Sequence, residues 1–417
     1  MQHCPSIPDL IRVFGRIGLM SFGGPAAQIS LMHRELVEER PWLKEQEFLG
    51  ALSFCMMLPG PEAMQLATYT GWKLRGTAGG LIGGLLFVLP GAVVIATLAA
   101  LYLAFGGIPL VQVGFVGIQA AVVAVVLQAL IRLSGKVLEN RLAWAAAFFA
   151  FAALFSGTLP FPAVILIAAL VGAAHPLAPS TDSMPSVAAG FGQTVRTVAL
   201  WGGLWLAPIL LLFVMDATFL LDVALFFSKL AVVTFGGAYA VLAYMVQAVV
   251  QDHGWLTTAQ MMDALGLAET TPGPLILVTQ FVGHLAGHQV GGVGLSITAG
   301  AITLWCTFTP CFLWIFAGAP YVDHLLHAPR LTGALRLISA AVVGVIANLG
   351  LWFALQVLFT QHTEIAGMRL PDLNSFEPLH GALTAWGCVL LLALRMPLIA
   401  TLAITAAAAI LAGAILT

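Results

Sequence analysis

The chain has 417 residues, 60% of them from the hydrophobic set AVILMFWYC and only 8% charged, with a mean hydropathy of +1.00. Soluble globular chains carry roughly 25% charged residues, so this one cannot clothe itself for water and reads as an all-α polytopic membrane protein. The net charge of -2 leaves no basic face for nucleic acid. Cys4, Cys55, Cys306, Cys311 and Cys388 are scattered and odd in number, which gives no disulfide framework and no metal site.

A spanning helix needs about 20 mostly apolar residues. Residues 8–75 are apolar but broken, first at Ser21-Phe22-Gly23-Gly24-Pro25 and then at Pro59-Gly60-Pro61. Arg12 and Arg16 interrupt the first apolar stretch, so it does not read as a cleavable signal peptide. Within the first broken region, the run from Met32 to Glu47 is highly charged and is expected to be a solvated face. From Gly76 to Ile131 there is no Asp, Glu, Lys or Arg, which leaves room for spans near 77–105 and 109–133 with Gly106-Gly107-Ile108-Pro109 as the turn. Shorter spans are expected near 141–157 and 159–175. A Pro-, Ser- and Thr-rich linker then reaches about Arg196, and a lone span follows near 198–216. Residues 219–288 are broken again, at Thr234-Phe235-Gly236-Gly237 and at Pro272-Gly273-Pro274. Further spans are expected near 290–318, 330–358, 379–395 and 397–416, with a long loop over 359–378. The total comes to about 13 membrane segments. The pieces flanking each break are about 15 residues, or 22 Å at 1.5 Å per residue. That is too short to cross alone, so they read as discontinuous helices or re-entrant hairpins, which survive in a membrane only when buried in protein or lining a polar cavity.

The breaks recur at a constant offset of 213: Ser21 with Thr234, Gly23-Gly24 with Gly236-Gly237, Trp42 with Trp255, and Pro59-Gly60-Pro61 with Pro272-Gly273-Pro274. Farther on the offset becomes 220, pairing Pro90 with Pro310 and Ala120-Ala121-Val122-Val123 with Ala340-Ala341-Val342-Val343. The chain therefore divides into an N-terminal repeat over 1–175, a linker and extra helix over 176–218, and a C-terminal repeat over 219–417. One extra crossing between the copies inverts the second. The loop charges agree, because Lys73, Arg75, Arg132, Lys136 and Arg141 fall on one side of the first copy, while the matching stretches of the second hold only Arg369, against Glu364, Asp372 and Glu377. The positive-inside rule places those residues and the N-terminus in the cytoplasm and the C-terminus in the periplasm. Inverted repeats with broken helices mark secondary transporters, whose site lies near midplane where the copies meet.

Pro25 and Pro61 follow glycines, and proline favours the first turn of a helix. Each break is thus expected to end in a helix N-terminus, with free N–H donors and about half a positive charge, suited to an anion. The candidate binding residues are Arg16, Ser21, Gly23, Gly24, Gly60, Lys229, Thr234, Gly236, Gly237, Thr270, Thr271 and Gly273. Arg16 and Lys229 are repeat mates and either neutralise the anion or snorkel to the interface. Glu62 and Glu269 either cap helices or titrate beside the site, and Gln65 and Gln280 could supply neutral donors. The pair His284 with His288 has no carboxylate or Cys near it, and His324 with His327 has only Asp323, which on a helix would point off their shared face, so structural or interfacial roles are expected and no metal or cofactor is called for. No phosphate-binding P-loop and no G-x-S-x-G nucleophile elbow is present, and no convergent nucleophile marks a membrane-embedded enzyme.

Phe22-Gly23-Gly24-Pro25, Leu58-Pro59-Gly60-Pro61-Glu62-Ala63, Phe235-Gly236-Gly237 and Thr271-Pro272-Gly273-Pro274 resemble the chromate ion transporter family, and more closely its long-chain, two-domain bacterial members. The resemblance covers nearly the whole chain. It implies export of chromate across the bacterial inner membrane, resistance to chromate, and two domains of opposite orientation. It also implies sulfate, an isosteric dianion, as the rival substrate. Ala238 stands where the first copy has Pro25, which leaves the second Gly-Gly break less sharply capped. The partners expected are the oxyanion and the lipid bilayer, with a homodimer allowed for.

Overall fold

The computed structural model describes residues 5–176, 190–235, 238–322, 325, 328–365 and 368–416. Fifteen helices can be followed there. The first repeat contains α1 (Ile7–Met20), α2 (Gly24–His33), α3 (Glu45–Met57), α4 (Glu62–Phe105), α5 (Pro109–Val137), α6 (Arg141–Phe155) and α7 (Phe161–Ala174). The extra helix is α8 (Phe191–Val214). The second repeat contains α9 (Thr218–Val233), α10 (Ala238–Gln247), α11 (Thr258–Ala268), α12 (Val278–Gly318), α13 (Pro329–Leu358), α14 (Pro378–Cys388) and α15 (Leu398–Leu416). Two repeats of seven helices flank one extra helix. The match extends to irregularities, because α2 and α10 each run into a π-helical turn, at Arg34–Glu38 and Ala248–Asp252. The linker expected before α8 falls mostly outside the described residues.

Among the described residues, six helices are long and apolar enough to cross a membrane, and three shorter apolar helices cover Arg141–Phe155, Phe161–Ala174 and Pro378–Ala393. α8 leaves most of its apolar surface outward, including Leu206, Leu210, Leu211 and Phe213, which suits lipid and would not suit water. The protein is a multi-pass membrane protein.

The long helices α4 and α12 are each two legs. Non-helical backbone interrupts α4 at Arg75 and Gly76 and α12 at Gly291 and Gly292, with Gly76 at φ 60° and Gly292 at φ 69°. The legs fold back on each other. A Cβ on Gly71 would lie 2.1 Å from the Gly79 carbonyl oxygen, and one on Gly83 would lie 2.4 Å from that of Ala67. In α12, Gly287 approaches the Leu295 carbonyl in the same way. Glycine is required because the backbones touch. The legs starting at Glu62 and Val278 are therefore short arms of helical hairpins, too short to span.

The 359–378 stretch differs from a plain loop. It carries an antiparallel hairpin of β1 (His362–Ile365) and β2 (Met368–Pro371), with His362 opposite Pro371. The hairpin is an insertion in the second repeat, after which α14 and α15 resume the pattern of α6 and α7, each second member following a proline (Pro160, Pro397).

The chain forms two compact units, each assembled from both repeats. Unit 1 holds 1–99, 176–238 and 271–332, and unit 2 holds 100–175, 239–270 and 333–417. All four breaks belong to unit 1. In unit 2, small residues bring helices into contact: Gly117 of α5 meets the Thr405 carbonyl of α15, and Gly344 of α13 meets that of Ala147 in α6.

Candidate functional site

Each break is followed by a helix start, as the Gly/Pro punctuation predicts. α2 opens at Gly24 with Pro25 in its first turn, and α4 opens at Glu62 directly after Pro61. α10 opens at Ala238, and α12 follows Pro274 after one 3₁₀ turn. Gly23 (φ 88°), Gly24 (φ 81°), Gly60 (φ 126°) and Gly273 (φ 89°) all take left-handed backbone that L side chains avoid.

Within unit 1 the breaks of the two repeats are tied crosswise. The Gly60 N–H donates to the Thr234 carbonyl at 2.8 Å, and the Gly273 N–H donates to the Ser21 carbonyl at 2.8 Å. Gly60 and Gly273 are repeat mates, and so are Ser21 and Thr234, so the two bonds are copies of one another. The hydroxyls are spent locally. Ser21 Oγ donates to the Ile17 carbonyl and Thr234 Oγ1 to that of Leu230, each at 2.6 Å, while Thr270 Oγ1 donates to Leu267 at 2.7 Å. The hydroxyls of Ser21 and Thr234 in unit 1, and that of Thr270 in unit 2, therefore have their protons committed to the preceding helical turn. Packing repeats the symmetry. A Cβ on Gly60 would lie 2.9 Å from Cys311 Sγ of α12, and a Cβ on Gly91 of α4, at the matching position, would lie 2.1 Å from the Pro272 carbonyl.

Sequence reasoning missed Gln28. Its side chain is buried, and its Nε2 donates to the Gly273 carbonyl at 2.6 Å and the Ser21 carbonyl at 3.2 Å, clamping one crossed bond. The matching position in the second repeat is Val241, so the other crossed bond has no such clamp. Gln65 Nε2 donates to Pro59 at 2.7 Å, and Gln65 Oε1 is buried without a hydrogen-bond partner among the described residues. The available signal was an amide in the first turns after a break in an otherwise apolar segment.

A cavity of about 20 Å³, room for one water, lies among Pro25, Gln28, Pro61, Glu62, Ala63, Pro274, Leu275 and Ile276. Three of the four helix starts thus line one space. Gly236 and Gly237 of the fourth break lie outside the described residues. First-turn N–H groups have no intrahelical acceptor, and each start adds about half a positive charge. Glu62 supplies a carboxylate to its wall.

The charged candidates sit differently. Arg16 is half-exposed on α1 and pairs at 3.4 Å with Glu35, which also pairs with Arg40. Glu35 is fully buried, which corrects the expectation that the whole run from Met32 to Glu47 is solvated: two guanidinium groups make that burial tolerable. Position 248, which matches Glu35, is alanine, so the acid is not repeated beside Lys229. Lys229 is exposed on α9, next to Ser228, whose Oγ accepts from Trp205 at 3.1 Å. Thr271 is buried in unit 1, while Glu269 and Thr270 belong to unit 2, at the C-terminal end of α11. Gln280 donates to the Ala92 carbonyl and lies 3.3 Å from His284, both inside unit 1. His324 and His327 lie outside the described residues.

The family described as Chromate transporter matches residues 8–173 and 221–414, one match per repeat. The Chromate transport protein of Pseudomonas aeruginosa is 33% identical over 351 residues, covering 82% of this chain and 79% of its own. The Probable chromate transport protein of Synechococcus elongatus is 29% identical, over 87% of this chain and 88% of its own, and the Chromate transport protein of Cupriavidus metallidurans is 29% identical, over 82% and 81%. No solved structure matches. With both repeats matched over nearly their full length, the chain belongs to the chromate transporter family.

Proposed function

We propose that this protein is a secondary transporter, rather than an enzyme, that exports chromate from the cytoplasm across the bacterial inner membrane and so gives resistance to it. The relatives named as chromate transport proteins support the substrate. The observation that carries the mechanism is the crossed pair of hydrogen bonds beside a cavity walled by helix starts of both repeats. An unpaired dianion in low dielectric costs tens of kcal/mol, and one helix start supplies only about 0.3–2 kcal/mol. Several starts and freed N–H groups must therefore act together.

In this reading the anion takes over the N–H groups of Gly60 and Gly273 from the carbonyls of Thr234 and Ser21, one acceptor replacing another. The second repeat is inverted, with the N-terminus cytoplasmic and the C-terminus periplasmic, so the two crossed bonds face opposite sides of the membrane. Breaking one while the other holds opens the site to one side at a time, the logic of alternating access. Arg16 and Lys229 attract the anion. An interior-negative potential favours outward movement of a dianion by about 4.6 kcal/mol per 100 mV. Recognition through backbone donors reads charge and size, so sulfate should compete.

The test is flux of labelled chromate, sulfate and phosphate in proteoliposomes. Chromate movement, inhibited by sulfate and accelerated by a potential negative on the chromate-loaded side, is the expected result. Absence of chromate movement in folded, reconstituted protein would sink the proposal.

A further inference from the structure

Unit 2 holds a polar cavity of about 470 Å³ that the transport reading does not use. Gly106 and Gly107, in the turn between α4 and α5, line it together with Asp263 on α11. Gln112, Phe115 and Gln119 line one wall, three and four residues apart on one face of α5. That stripe descends about 10 Å at 1.5 Å per residue. Asp263 is only 4% exposed. Its Oδ2 accepts from the Tyr102 hydroxyl and its Oδ1 from Gln119 Nε2, each at 2.8 Å.

No cation offsets this buried acid among the described lining residues. α4 presents Tyr102, the only other titratable group there. α5 presents Gln112 and Gln119, and α11 itself presents Gln260, all neutral. Glu269, six residues farther along α11, lines a separate apolar cavity with Leu242 of α10 and with Leu349 and Phe353 of α13. Burial favours the neutral acid, while the two hydrogen bonds favour the carboxylate. A group held by these opposing influences beside a cavity lined by glutamines can change protonation without leaving its place. The cluster is not repeated: the positions matching Tyr102, Gln119 and Asp263 are Val322, Ser339 and Gly50. Along the chain, α11 leads directly into the Pro272-Gly273-Pro274 break.

We infer that Asp263 is a proton-binding site, fed through the cavity lined by Gly106, Gln112 and Gln119, whose occupancy couples proton entry to the movement of the transported anion. A proton passes from cavity water to a carboxylate oxygen and later returns from that oxygen to water on the other side, and no other bond changes. The coupling half rests on the transport reading above, whereas proton binding does not. A sodium site fits less well, because an amide N–H and a hydroxyl already point at the carboxylate where a metal ion would need oxygen lone pairs.

Two measurements test this. The first is infrared titration of purified protein without substrate. The carbonyl band of a protonated buried carboxylic acid should be present in the wild type and missing in Asp263→Asn. Its midpoint should move up by roughly one pH unit in Tyr102→Phe, which loses a bond to the charged form. An unchanged band in Asp263→Asn overturns the proton site. The second is chromate flux in proteoliposomes at fixed membrane potential. An imposed pH gradient should alter the wild-type rate several-fold and leave the Asp263→Asn rate unchanged, while the potential still drives both. A full pH response in Asp263→Asn, or a sodium gradient acting in place of protons, refutes the coupling. If the band behaves as expected but wild-type protein moves no chromate, proton binding stands and the transport reading fails.

Discussion

Gly60→Ala should be the most damaging single-methyl addition among the described glycines of the breaks. The residue sits at φ 126°, where an L side chain costs about 1–3 kcal/mol in strain. Its new Cβ would also lie 2.8 Å from Gln65 Nε2 and 2.9 Å from Cys311 Sγ. Gln65 is held by its bond to Pro59, so it yields only by losing that bond. Overpacking of this kind adds about 1–3 kcal/mol, for a total of roughly 2–6 kcal/mol. Gly24→Ala is the control. It has φ 81° but nothing within 4 Å of the added Cβ, so only the strain applies. Adding Cys311→Ala to Gly60→Ala should restore part of the loss, with a coupling energy of about 0.5–3 kcal/mol. Thermal unfolding in detergent, with chromate flux alongside, gives both readings. If Gly24→Ala destabilises as much as Gly60→Ala, or if positions 60 and 311 do not couple, the packing argument is wrong.

Gln28→Leu should lower chromate flux by releasing the Gly273 and Ser21 carbonyls from their shared donor, at about 1–3 kcal/mol of stability; unchanged flux and unfolding temperature would remove Gln28 from the mechanism. Glu35→Gln should leave two cations without their shared acid and cost roughly 3 kcal/mol, read as a lower unfolding temperature that high salt does not restore. Arg16→Gln and Lys229→Gln should each reduce flux more than membrane insertion, with Lys229→Arg milder; normal flux in both Gln variants means that these residues only anchor helix ends. Reporter fusions at Lys136 and His362 should report opposite sides of the membrane, and a shared side would contradict the inversion.

Much of the fold was legible in the sequence because its signals are local. Lipid-facing helices need unbroken apolar length, so the spans near 77–105, 109–133 and 330–358 could be placed within a few residues. Gly-Gly-Pro and Pro-Gly-Pro dictate local backbone, so they announced where helices would stop and restart. The constant offset announced the repeat before any contact was known. The tertiary structure decided which breaks meet. The pairing of Gly60 with Thr234, and of Gly273 with Ser21, joins residues far apart in the chain, and a backbone N–H leaves no trace in sequence of the carbonyl it will find. The turn at Arg75 and Gly76 was legible too, because Lys73 and Arg75 close the first broken region just before the span near 77–105, but the close packing of the two legs it joins came only from the tertiary structure. Glu35 looked like one charge among many on a solvated face. It is buried because Arg16 arrives from a different helix, and burial of an acid depends on the partner that tertiary packing brings to it.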